Sequence, residues 1–180
     1  MDHDRRQLLS RLCLALALVA GPIGAAARAE VAGPPRIIDG DTLAVQGMVI
    51  RLYGIDAPEL GQSCRIGARA YDCGRIARTA LLDLTAGVTV RCKLAPPSPE
   101  DAGSEDGAAD RIGRCSADGY DLSEGMAYTG WALALRPVSE RYVVFEDRAR
   151  AARRGLWKGQ FVTPWDWRAG ARLPRTADAD

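Results

Sequence analysis

RIIDGDTLAVQGMVIRLYGI, residues 36–55, alternates apolar and polar side chains and is cut by Asp39-Gly40 and Gln46-Gly47. Period-two alternation interrupted by turn dipeptides predicts three short antiparallel strands. The next helical signal comes from apolar residues at helical spacing between Gly67 and Leu84, which predict an amphipathic helix over that stretch, closed by Gly87. VTVRCK reads as a fourth strand and RIGRCSA as a fifth, turned by Asp118-Gly119. DLSEGMAYTG makes a short helix with Asp121 or Ser123 near its start. RYVVFEDRARAARRG makes a longer one, with Tyr142, Phe145, Ala149 and Ala152 on one face and Gly155 as its stop. Five strands, with helices inserted after the third and the fifth, point to a small closed β-barrel of the oligonucleotide-binding kind.

The ends and the middle of the chain read differently. Residues 1–29 join an arginine-bearing head to an apolar run, Leu12–Ala20, and to the small residues around Ala27-Arg28-Ala29. This is the pattern of a cleaved export signal, and the run is too short to favour a permanent anchor. Residues 30–160 then form one domain and 161–180 a tail, in which Trp165 and Trp167 are expected to pack back on the body. APPSPEDAGSEDGAAD (95–110) is rich in Pro, Gly, Ser and acid, so it reads as an exposed, mobile loop.

Composition excludes several chemistries. The single histidine is His3, within the signal, and Lys93 and Lys158 are the only lysines. A Ser-His-Asp hydrolase, a Cys-His nucleophile and a histidine-ligated zinc site are therefore ruled out for the exported chain. Acid-base work must fall to carboxylates or tyrosines, and anion binding to arginine. The net charge of +1 is too small to act as a global attractant, so any nucleic-acid binding needs a local patch. Cys13 leaves with the signal; Cys64, Cys73, Cys92 and Cys115 remain, without metal-ligand spacing. Four cysteines allow three pairings. Placement in adjacent elements favours Cys64–Cys73 across a short loop and Cys92–Cys115 between neighbouring strands.

IDGDT (38–42), RLYGIDAPE (51–59), DRIGR (110–114), ADGYDL (117–122), GWALAL (130–135) and GLW (155–157) follow one another in order. Together they resemble the staphylococcal-type thermonuclease domain, and the tail GQFVTPWDWR looks like that of its secreted bacterial members. The resemblance implies a five-stranded barrel of the oligonucleotide-binding fold with about three helices. It also implies an exported phosphodiesterase acting on single-stranded DNA or RNA, periplasmic or secreted, with Ca²⁺ as cofactor and the monomer as the working unit.

The chemistry suits the residues. Water attacks a phosphodiester in line, and negative charge must be stabilised on the phosphoryl oxygens. By resemblance Asp41 and Asp56 ligate Ca²⁺ with the backbone carbonyl of Ala57, and Asp39 stands close behind. Glu59 positions or deprotonates the water, while Arg51 clamps the phosphate with its planar fork of donors. Asp41 is expected at the barrel rim and outside the core. Taken singly, Asp39-Gly40-Asp41 is ordinary turn chemistry and lacks the spacing of a calcium loop.

Arg114 is the family's second phosphate arginine if the strand after it is shortened. If RIGRC is itself the central strand, the motif lies elsewhere. Ile112 replaces a tyrosine usual in the family, and Leu135, Arg136 and Val138 occupy the region of its base-flanking tyrosines. Two alternatives to a nuclease therefore stay open. One is a catalytically silent barrel binding nucleic acid or another polyanion; the other is a module of envelope or exopolysaccharide assembly.

Overall fold

The computed structural model describes residues 29–96 and 111–174. Residues 1–28, where an export signal is expected, residues 97–110 of the acidic loop and residues 175–180 lie outside the described residues.

The three strands expected at the start are present as β2 (Pro35–Ile37), β3 (Thr42–Val45) and β4 (Met48–Leu52), after a first strand β1 (Glu30–Gly33). A two-residue strand β5 (Ile55–Asp56) follows. Gln46 and Gly47 carry φ of 52° and 82°, which a tight two-residue hairpin between β3 and β4 demands. β8 (Val90–Leu94) and β9 (Arg111–Ala117) join the main sheet, in the order β1-β8-β9-β4-β3-β2.

The sheet curls into a nearly closed barrel because its two outermost strands are one stretch of chain. β1 pairs with β8 and β2 with β3, with only Pro34 between them. Proline lacks the N–H that a ladder would use, so the pairing switches partner there. Gln46 helps the closure by donating from Nε2 to the Ala32 carbonyl, at 2.8 Å. Leu43, Val45, Ile50, Leu52, Val90 and Leu122 fill the interior.

Between β5 and β8 the structure corrects the expected helix. Residues 67–72 are not helical. They belong to a hairpin of β6 (Ser63–Ile66) and β7 (Arg69–Asp72), and helix α1 runs only over Cys73–Leu84. The cause is local. Asp72 caps the helix by accepting from the Arg75 N–H at 2.9 Å, and the Cys64–Cys73 disulfide ties the hairpin to the first helical residue. The second disulfide joins Cys92 to Cys115, which are directly opposite in the β8–β9 ladder.

After β9, Asp118-Gly119 makes the expected turn into β10 (Tyr120–Asp121), and Asp121 caps α2 (Leu122–Thr129). β11 (Leu133–Ala134) pairs with β5, and α3 covers Val143–Ala151. Its apolar face includes Ala149, but Ala152 is exposed and the buried side chain in the middle is Glu146. The tail adds α4 (Pro164–Arg168).

Candidate active site

Two strand ends deliver the acidic residues. Asp41 precedes β3, and its carbonyl accepts the Leu52 N–H at 2.7 Å, beside Arg51 in β4. Asp56 ends β5, and the following Ala57 N–H donates to Asp41 Oδ2 at 2.8 Å. Asp39, Asp41 and Asp56 are thereby gathered at one end of the barrel. Gly40 makes the approach possible: a β-carbon there would lie 2.7 Å from Ala57 Cβ and 2.8 Å from Ala77 Cβ. Small side chains at 40, 57 and 77 let the turn, the β5 end and α1 touch. Arg78 steadies the entry from α1 by donating to the Ile37 and Ile38 carbonyls.

Asp41 sits at the rim as expected, but it is buried, not exposed. A carboxylate lying between the Ala57 N–H and the Thr42 hydroxyl loses its water, which accounts for the difference. Burial first, and then the charges of Asp39 and Asp56, push its carboxyl from 3.8 up to about 7 against the pull of those two hydrogen bonds.

Glu59 is half-buried on the loop after Pro58. Its N–H donates to Oε1 of the fully buried Gln62 at 3.1 Å, and Gln62 Nε2 donates onward to the Val162 carbonyl at 2.7 Å. Gly74, at the start of α1, presses on this loop so closely that a β-carbon would fall 1.8 Å from the Glu59 carbonyl oxygen. One glutamine thus links the loop carrying Glu59 to the C-terminal tail.

That tail brings an unforeseen residue. Arg168 Nη1 and Nη2 donate to the two oxygens of Asp56 at 3.0 and 2.6 Å, and Nη1 also donates to Glu59 Oε1. Arg51, Asp56, Leu135, Trp165 and Arg168 line a single cavity of about 480 Å³. Arg114 lies elsewhere. RIGRC is the central strand, parallel to β4 with Arg51 opposite Ile112, and the Arg114 guanidinium stacks over the Tyr53 ring at 4.7 Å. It borders a neighbouring cavity with Lys93 and Ile112.

Sequence reading missed Arg168, Gln62 and the place of Trp165. The PWDWR cluster was the available signal for two of them. Gln62 offered none, because its role is made by contacts at both ends of one buried amide.

Among the described residues, no group of three or more His, Cys, Asp or Glu side chains is arranged as a metal cage. The smaller oxygen set still fits a hard cation. Asp41 and Asp56 lie side by side, and negative charge is crowded enough to raise the Asp41 carboxyl, the condition a divalent ion relieves.

No family model matches the chain. Individual relatives do. Protein ParB of Escherichia coli is 33% identical, across 89% of this chain and 90% of its own length. Micrococcal nuclease of Shigella flexneri is 31% identical, across 86% and 88% respectively. The probable staphylococcal-like nuclease CAN2 of Oryza sativa subsp. japonica is 33% identical over 70% of this chain, which spans only 30% of that longer protein.

Proposed function

Because the chain belongs to the staphylococcal-type (micrococcal) nuclease family, we propose that it is an exported, metal-dependent nuclease that hydrolyses phosphodiester bonds of single-stranded DNA or RNA. The observation that carries this reading is the convergence of Asp41, Asp56, Glu59 and Arg51 at one end of the barrel, beside a cavity of about 480 Å³. Export is supported by the two disulfides, which persist in oxidising compartments. The working unit is proposed to be the monomer.

Asp41, Asp56 and the Ala57 carbonyl would hold Ca²⁺, with Asp39 behind them; bound there, the ion supplies positive charge to the phosphoryl oxygens. The remaining work falls to side chains. Glu59 accepts a proton from water as the water oxygen attacks phosphorus, and the P–O bond to the leaving sugar oxygen breaks. That oxygen takes up a proton from solvent. Arg51 donates to the phosphoryl oxygens as their charge grows, an interaction stronger in the transition state than in the ground state.

The test is release of acid-soluble nucleotides from single-stranded DNA and from RNA, with Ca²⁺ and with excess chelator. Cleavage only with the cation is the expected result; undiminished cleavage in chelator would overturn the metal assignment. A second reading, a barrel that binds nucleic acid without cutting it, draws on the hold Arg168 has on both Asp56 and Glu59. It predicts binding but no product under either condition.

A further inference from the structure

The tail supplies more than packing. α4 is tied down at both ends. Val162, just before it, accepts from Gln62, and Pro174, beyond it, accepts from Arg65 Nη2 at 2.6 Å. A backbone pair between Arg65 and Gln160, at 2.9 and 2.8 Å, fixes the approach. The helix thus presents Trp165 and Arg168, one turn apart, to the same cavity that Arg51 and Asp56 line from the barrel.

Each side chain has chemistry to spare. A guanidinium has five N–H donors, and the contacts to Asp56 and Glu59 engage three on Arg168. Trp165 is 39% exposed although it borders a cavity floored by Ile55, Ala134 and Leu135, so part of its ring is open to a ligand. A planar cation beside a second arginine, next to an open indole above apolar residues, matches a nucleotide: phosphate at one end and base at the other.

Resting on the nuclease reading, we propose that α4 completes the substrate site, with Arg168 as the second phosphate-binding guanidinium beside Arg51 and Trp165 as the platform on which a base stacks. Arg168 therefore does the work that a shortened strand would have given to Arg114. Its bonds to Asp56 and Glu59 also hold both carboxylates in place when substrate is absent.

The experiment uses the full chain and a fluorescein-labelled thymidine pentanucleotide. Binding is followed by anisotropy in chelator across a salt series, and cleavage is followed separately with Ca²⁺. Trp165→Ala should weaken binding by about 5- to 150-fold, the range for one lost stacking contact, with the salt slope unchanged. Arg168→Ala should lower the magnitude of the slope of log K against log salt by about 0.7, as expected for one lost phosphate contact on a single strand. It should also lower kcat by about 10²–10³. Arg168→Lys should keep the salt slope, because the charge remains, and guards against a variant that merely misfolds. Arg172→Ala, in the same tail but stacked on Trp167, serves as the control and should match wild type. An unchanged slope in Arg168→Ala, unchanged affinity in Trp165→Ala, or faster cleavage by Arg168→Ala would overturn the proposal. If wild type binds and the variants behave as expected but no DNA is cut, the nuclease reading alone fails.

Discussion

Arg168 and Asp56, 112 residues apart in sequence, face each other through two parallel hydrogen bonds of 3.0 and 2.6 Å. The pair ties the tail to the acidic end of the barrel, since the same guanidinium reaches Glu59. Asp56 is buried while Arg168 is partly exposed, so breaking the pair leaves the carboxylate, not the arginine, short of partners. Removing one member of such a pair costs more than the pair itself contributes.

Asp41 should make the cation-free protein sensitive to pH. Its folded carboxyl is raised from 3.8 to about 7, so the folded state holds its proton more tightly than the unfolded state. The stability this contributes is fully present below about pH 4 and is lost as pH rises towards 7. Asp41→Asn cannot titrate. The stability of wild type minus that of Asp41→Asn, from urea unfolding in chelator, should therefore fall over that interval, and a flat difference would count against the crowded-carboxylate picture. At neutral pH the variant should lose most nuclease activity.

Gly74→Ala tests the contact between α1 and the loop of Glu59. The added methyl has no room beside the Glu59 carbonyl, so the loop must shift. A displacement of about 1 Å at a reacting group can cost about 10²-fold in rate. Steady-state kinetics should show kcat falling by about that factor, with KM much less changed.

Glu146 is the buried anchor behind Asp56. Its Oε2 accepts the Ala134 N–H at 2.6 Å, and Oε1 accepts from Arg136 and Arg150 at 3.1 and 3.2 Å. Ala134 pairs with Ile55, the residue before Asp56. Glu146→Ala leaves that N–H unsatisfied and should destabilise the fold by about 1–3 kcal/mol in denaturant titration. Glu146→Gln, which keeps an acceptor, should recover part of the loss.

Reduction should weaken the fold in two separable steps. Each bridge contributes roughly 2–4 kcal/mol on general grounds. Replacing Cys92 and Cys115 by serine should lower the denaturation midpoint and leave kcat nearly intact. The same change at Cys64 and Cys73, beside the Gln62 loop, should reduce both. Equal kinetic effects from the two double variants would argue against the special position of the first bridge.

What the sequence by itself determined is local in origin. Period-two alternation, Asp-Gly and Gln-Gly turns and the Asp121 cap set β2, β3, β4, β9 and α2, because each signal is read within a few residues. The cysteine pairing also followed from adjacency. Asp41, Asp56, Glu59 and Arg51 were legible because one short stretch carries three of them. Tertiary structure decided the rest. The β6–β7 hairpin, bridged at Arg65 to Gln160 of the tail, takes the place of the first expected turns of α1, and β9 pairs with β4 and β8 in the register that sets Arg114 over Tyr53. Asp41 became buried because α1 and the β5 end close over it. Arg168, Trp165 and Gln62 acquired their places only when the tail crossed back to the barrel. Contacts over a hundred residues of separation leave no periodicity or spacing to read, since the energy that fixes them comes from surfaces that do not exist until the barrel has formed.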